Sequence, residues 1–202
     1  MKRLSLYLFL IFFTLQTSSW ADDIRDFEIE GMSIGDSLLD YFSEEQIKNQ
    51  KQKTQYPGSD KFIIYTFNNN QQNKSFDDFE IYDAITIDIM KYDKKYIIEA
   101  LSGALRFRDN IDGCHEIKLE IENEFSTLFK NAKTTKTKME KLLDKSGESF
   151  TSIAEYLLPT EDVAQITCDD WSEKFASFPD ALMVNLMSKK YYIFLVNEAY
   201  KK

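Results

Sequence analysis

Tyr96-Ile97-Ile98-Glu99-Ala100-Leu101-Ser102-Gly103-Ala104-Leu105-Arg106-Phe107, followed by the turn-like Asp109-Asn110-Ile111-Asp112-Gly113 and then Cys114, is the stretch on which the fold turns. In its first half apolar side chains recur at Ile97, Leu101, Leu105 and Phe107, the two-residue period of a strand with one covered face. Glu99 interrupts that face, and Gly103 suggests a bulge. Past the turn, Cys114, Ile117, Ile121, Phe125, Leu128 and Ala132 follow at steps of three or four. That spacing predicts an apolar stripe on a long helix, with Glu116, Lys118, Glu120, Glu122 and Glu124 mostly off it. Asp112 can cap the orphan amides at its start, and Lys130 and Lys133 suit the negative end of its dipole. The expected picture is a sheet crossed by one long helix pinned through Cys114.

Upstream, Ile85, Ile87 and Ile89 alternate with Thr86, Asp88 and Met90, a half-buried strand that Tyr92-Asp93-Lys94-Lys95 turns back into the strand at Tyr96. Phe62-Ile63-Ile64-Tyr65-Thr66-Phe67 is apolar on both faces, which predicts a central strand. Ser33 with Asp36, and again Ser43 with Gln46, carry the spacing of a capping box, so short N-terminal helices are expected there. Downstream, the lysine-rich residues 134–149 read as a surface helix inside a loop, with Met139, Leu142 and Leu143 as its large apolar groups. Ser152 to Leu158 and Val163 to Cys168 are predicted strands around the turn at Pro159. Ala181 to Met187 and Tyr191 to Val196 read as a closing hairpin, the second member being alternatively helical as far as Tyr200. Hairpins against one long helix make an α+β fold with a mainly antiparallel sheet.

The first 21 residues read as an address. Lys2 and Arg3 precede a nearly unbroken apolar run from Leu4 to Leu15, and Ser19-Trp20-Ala21 offers small residues at the positions a signal peptidase reads. Cleavage after Ala21 leaves residues 22–202 as a single globular domain in the periplasm or outside the cell. The run is shorter than the ~20 residues of a spanning helix, so a retained membrane anchor is the alternative. The chain is acidic, with net charge −9, and loses two further basic groups on cleavage, which argues against nucleic acid as a partner. Aromatic residues make up 14% of it, which fits a packed core. Export puts Cys114 and Cys168, the only two cysteines, in an oxidising space; a disulfide between them is expected, against two buried free thiols.

The run Ile29-Glu30-Gly31-Met32-Ser33-Ile34-Gly35-Asp36-Ser37-Leu38-Leu39-Asp40-Tyr41-Phe42-Ser43-Glu44-Glu45 resembles the opening of uncharacterised small exported proteins of marine alphaproteobacteria. The likeness extends faintly to Cys114 and to Cys168-Asp169-Asp170-Trp171-Ser172. It implies export and brings no activity, cofactor or site with it.

Candidate chemistry is sparse. Gly31-Met32-Ser33-Ile34-Gly35 has the form of a hydrolase nucleophile elbow, but that elbow needs several strands upstream and a histidine base, and His115 is the only histidine. Ser33 is therefore read as a cap. His115 beside Cys114 lacks the further ligands a zinc site needs, so no metal or cofactor is expected. The acidic pairs Asp77-Asp78, Glu161-Asp162 and Asp169-Asp170 lack calcium-loop spacing and are read as solvated. Glu99, on an otherwise apolar strand face, is the candidate for a pocket. Lys130, Lys133, Lys136, Lys138, Lys141 and Lys145 form the one basic stretch, read as a solvated loop with an anionic membrane surface as the competing partner. These readings point to an exported binding or interaction domain that is not catalytic. A periplasmic hydrolase working through carboxylates is the runner-up.

Overall fold

A computed structural model describes residues 23–72, 74, 76–108, 110–141, 143–175 and 177–201. The expected leader, residues 1–21, lies outside them. After a short helix α1 (Glu44–Asn49) come strands β1 (Phe62–Asn68), β2 (Ala84–Met90) and β3 (Ile98–Arg108), then helix α2 (Ile111–Leu128). Strands β4 (Lys133–Glu140), β5 (Phe150–Leu157), β6 (Val163–Asp170) and β7 (Asp180–Met187) follow, and helix α3 (Lys189–Asn197) closes the chain. The strands form one sheet in the order β1-β2-β3-β7-β6-β5-β4, antiparallel throughout. It is two meanders joined edge to edge: α2 carries the chain from β3 to the far edge, and the second meander returns until β7 pairs with β3. The fold is α+β, and the sheet dominates it. Among the described residues no helix is long and apolar enough to cross a membrane.

Side-chain alternation divides the core between the two faces. Ile85, Ile87, Leu101, Ile166, Leu182 and Val184 project to one face and pack beneath α2 and the N-terminal segment, which adds Ile24, Met32, Leu38 and Ile47. Each fully buried aliphatic side chain there contributes about 1.5–3 kcal/mol. The other face is covered at one end only, where Tyr191 and Phe194 of α3 pack on Phe62, Ala100, Val163 and Met187. The rest of that face presents half-exposed short side chains such as Thr66, Thr86, Ser102 and Asn185.

The Cys114–Cys168 disulfide ties the first turn of α2 to β6, with a Cα–Cα distance of 6.1 Å. Closing a loop of 54 residues stabilises the fold by about 4 kcal/mol in the chain-entropy model. α2 packs on β3, β6 and β7, but its inner face is less apolar than the spacing predicts. Cys114, Ile121 and Phe125 are buried together with Lys118 and Glu122, while Leu119 is exposed. Its cap is Asn110, whose side chain accepts from the Gly113 amide, two positions before the expected Asp112.

Other expectations are also corrected. The pairing of β2 with β3 shifts between Asp88 and Ile89, so the bulge falls at Glu99 and Ile98, not Ile97, occupies the core face. Gly103 is regular strand; a Cβ there would meet the Tyr82 ring at 2.6 Å, so the glycine makes room for an aromatic lid. β1 is an edge strand, not a central one, because covering both faces says nothing about pairing both edges. Its outer edge is closed by residues 50–55, with Gln52 N donating to Ile64 O at 2.9 Å and Ile64 N donating to the Gln55 side chain. The lysine-rich segment forms β4 instead of a surface helix. Every residue of β4 is exposed, and alternating threonine and lysine suit a strand that has a partner on one side only, where charge discourages further pairing. The last element is the helical alternative, capped by the Ser188 side chain. Ser43 and Gln46 do form the reciprocal capping box of α1, whereas the 3-10 turn Leu38–Asp40 is capped by Ser37 and not by Ser33.

Candidate functional site

A cleft of about 870 Å³ opens between the N-terminal segment and Lys74 with residues 76–80. Its base is a two-residue hairpin: Ile29 and Met32 exchange backbone hydrogen bonds of 2.9 and 3.1 Å, and Glu30 and Gly31 take φ values of +53° and +75°. Such a turn needs positive φ at both central positions, so glycine at 31 is dictated and Glu30 carries strain. The strained residue places its carboxylate where it accepts from three successive amides, Glu80 N (3.0 Å), Ile81 N (2.8 Å) and Tyr82 N (2.9 Å). Asn69 clamps the same segment: its Nδ2 donates to the carbonyls of Phe79 and Tyr82, and its Oδ1 accepts from Phe79 N. Both walls are thus fixed from below.

An aromatic ladder backs the cleft. Phe42 stacks on buried Phe67 at 4.4 Å, Phe76 meets Phe67 edge-on at 5.3 Å, and Phe79 lies 5.7 Å from Phe76. Glu30, Asp40, Asp77, Asp78 and Glu80 line it together with one cation, Lys74. The Lys74 ammonium pairs with Asp78 and lies 5.2 Å from the centre of the Phe76 ring. Tyr41 donates to Asp36 at 2.6 Å; burial, then this carboxylate, pushes its hydroxyl well above the ordinary tyrosine range.

Glu99 lines a second, smaller cleft of about 340 Å³ with Arg25, Ile97, Thr160, Asp162 and Ser188. The bulge turns its carboxylate inward, where it is 8% exposed, accepts from Ser188 Oγ at 2.7 Å and pairs with Lys190. Asp162 accepts from Lys189 N at 2.7 Å, at the start of α3. The tertiary fold thereby brings together Glu99 and one member of an acidic pair, both already held by α3.

The remaining candidates lie elsewhere in the fold. Ser33 Oγ donates to Phe27 O at 2.9 Å while its amide donates to Asp36, so the serine ties down the N-terminal segment. Gly35 at φ +94° completes the turn, which accounts for the elbow-like motif without a nucleophile. His115 is exposed on α2. Among the described residues no group of three His, Cys, Asp or Glu side chains could hold a metal ion. Asp169 pairs with Lys141 and accepts from Thr151 Oγ1. Of the lysines in the basic stretch, Lys133, Lys136 and Lys138 lie on exposed β4; Lys136 pairs with Glu122, Lys138 lies 4.0 Å from the centre of the Phe150 ring, and Lys141 also lies 4.7 Å from that of Trp171.

Two buried polar groups escape the sequence reading. Asp88, between Ile87 and Ile89, has the position of a solvent-facing residue in an alternating strand. α3 covers it instead, leaving it 4% exposed. Tyr56 donates to its carboxylate at 2.8 Å and also bonds Tyr191 of α3. Burial raises the Asp88 carboxyl to about 7, against the opposing effect of these hydroxyls. The second group is Glu122, buried between Lys118 and Lys136: burial alone would raise its carboxyl, and the two ammoniums outweigh it and hold it low. No pattern in the local sequence marks either.

Set beside known proteins, the chain matches no family model, no curated protein and no solved structure.

Proposed function

We propose that this chain is an exported binding domain without catalysis, acting in the periplasm or outside the cell after removal of residues 1–21. The observation that carries the reading is the clamped, aromatic-backed cleft at Glu30, a concave site whose walls are fixed before any ligand arrives. The leader-like N-terminus and the Cys114–Cys168 disulfide support export. Expression of the full chain in a secreting host tests it: the mature protein is expected to begin at Asp22 and to show no free thiol when denatured without reductant. Thermal denaturation against panels of cationic, neutral and anionic small molecules is expected to find a stabilising ligand whose effect is lost in Glu80→Trp, which fills the mouth of the cleft. Retention in the cytoplasm with two titratable thiols would sink the export reading, and an N-terminus still at Met1 in the membrane fraction would favour a retained anchor.

The runner-up is a carboxylate-dependent hydrolase, favoured by one observation, the shared cleft of Glu99 and Asp162. A hydrolytic activity abolished in Glu99→Gln, with folding intact, would establish it.

A further inference from the structure

The chain is acidic, with net charge −9, yet a pocket of about 390 Å³ beside the edge strand β1 has no Asp or Glu in its walls. Lys51 and Arg106 bring two cations to it, carboxamides supply most of the rest, and no aromatic ring lines it, so whatever it holds is recognised by polar groups. Gln50 is the telling residue. Its backbone N–H donates to Ile47 O and its carbonyl accepts from Thr66 N, both at 3.0 Å, which fixes the main chain on both sides. The residue is 4% exposed, and among the described residues its side-chain carboxamide has no hydrogen-bond partner. A covered amide without a partner costs stability, and a ligand hydroxyl, able both to donate and to accept, would offset that cost. Asn70 and Gln71 hold further uncommitted carboxamides at the exposed rim. Arg106 arrives from β3, and its Nη2 donates to Asn68 Oδ1 at 2.7 Å. That partner is neutral. Asp83 accepts from the Arg106 backbone amide at 2.8 Å, and among the described residues no carboxylate pairs with the guanidinium or with the Lys51 ammonium. Two cations without counter-charges suit a carboxylate. Thr66 also opens a row of side chains with hydroxyl or amide groups, Thr66, Thr86, Ser102 and Asn185, that lie opposite one another across four strands.

We propose that this pocket, separate from the Glu30 cleft, binds a sugar acid, with the carboxylate on Arg106 and Lys51 and the hydroxyls on Gln50 and the neighbouring carboxamides. The test is titration of the disulfide-bonded chain with glucuronate, followed in amide proton–nitrogen NMR spectra that resolve the side-chain carboxamides. Glucose, which lacks the carboxylate, and acetate, which lacks the hydroxyls, are the controls. Saturable glucuronate binding that shifts the Gln50 side-chain signals is expected, roughly tenfold tighter than either control. Arg106→Gln and Lys51→Gln should each weaken it about fivefold, the scale of one exposed ion pair. Gln50→Met keeps the length of the side chain and removes the carboxamide, so binding should weaken about fivefold while the melting temperature holds or rises, because the empty protein loses an unsatisfied group. A carboxamide that served only the fold would give a lower melting temperature and unchanged binding. Glu80→Trp, in the other cleft, should leave glucuronate binding as it is. Absence of saturable binding, a control that binds as tightly, or binding indifferent to Arg106→Gln and Gln50→Met overturns the proposal. Binding lost in Glu80→Trp also overturns it, by moving the ligand to the Glu30 cleft, and leaves the reading of that cleft standing.

Discussion

Replacing Asp88 by asparagine should make this protein more stable at neutral pH. Asp88 is buried under α3, and its carboxyl is raised from an ordinary 3.8 to about 7. Between those values the unfolded chain has released the proton while the folded chain keeps it. The folded state is then the one binding more protons, so its stability falls as pH rises from about 4 through 7 and levels off above. A shift of about three units, at 1.36 kcal/mol each, corresponds to about 4 kcal/mol lost across the window. Asparagine keeps the size and the Oδ1 that accepts from Tyr56, and it does not ionise. Urea unfolding of both proteins at several values from pH 4 to 8 measures the effect. Near parity is expected at pH 4, with Asp88→Asn ahead by about 2–4 kcal/mol at pH 8. Other titrating groups are common to both chains and cancel in the difference. A gap that does not change with pH, or a wild type that gains on the variant as pH rises, would refute the reasoning.

Removing the disulfide with Cys114→Ser and Cys168→Ser should cost about 4 kcal/mol in chemical denaturation, and reduction of the wild type should reproduce the loss. Glu122→Gln leaves Lys118 buried without its counter-charge and should destabilise by roughly 3–5 kcal/mol. Substituting Leu for Lys118 in the same chain should recover much of that in the same unfolding assay. Gly103→Ala drives a methyl into the Tyr82 ring and should lower stability by about 1–3 kcal/mol. The cost should shrink when Tyr82 is replaced by leucine, read as a difference in midpoint.

What could be read from the sequence was what short segments settle among themselves. The isoleucine alternation of β2, the strands β5 and β6 around Pro159, and the Ser43–Gln46 capping box all depend on neighbours a few residues away. The cysteine pairing was equally legible, because Cys114 and Cys168 have no other cysteine to choose. Coverage and edge pairing are set by residues far along the chain, and there local pattern misleads. The lysine-rich stretch has no apolar period because β4 is bare on both faces, and β1 looks central because both its faces are covered. The Glu30 cleft needs Asn69, residues 80–82 and the strained turn at Glu30 brought together, and Asp88 becomes a titrating core residue only when Tyr191 arrives from α3. Periodicity records which side chains seek cover; only the assembled sheet and helices determine which polar groups are covered with them, since desolvation depends on whatever long-range packing lays over them.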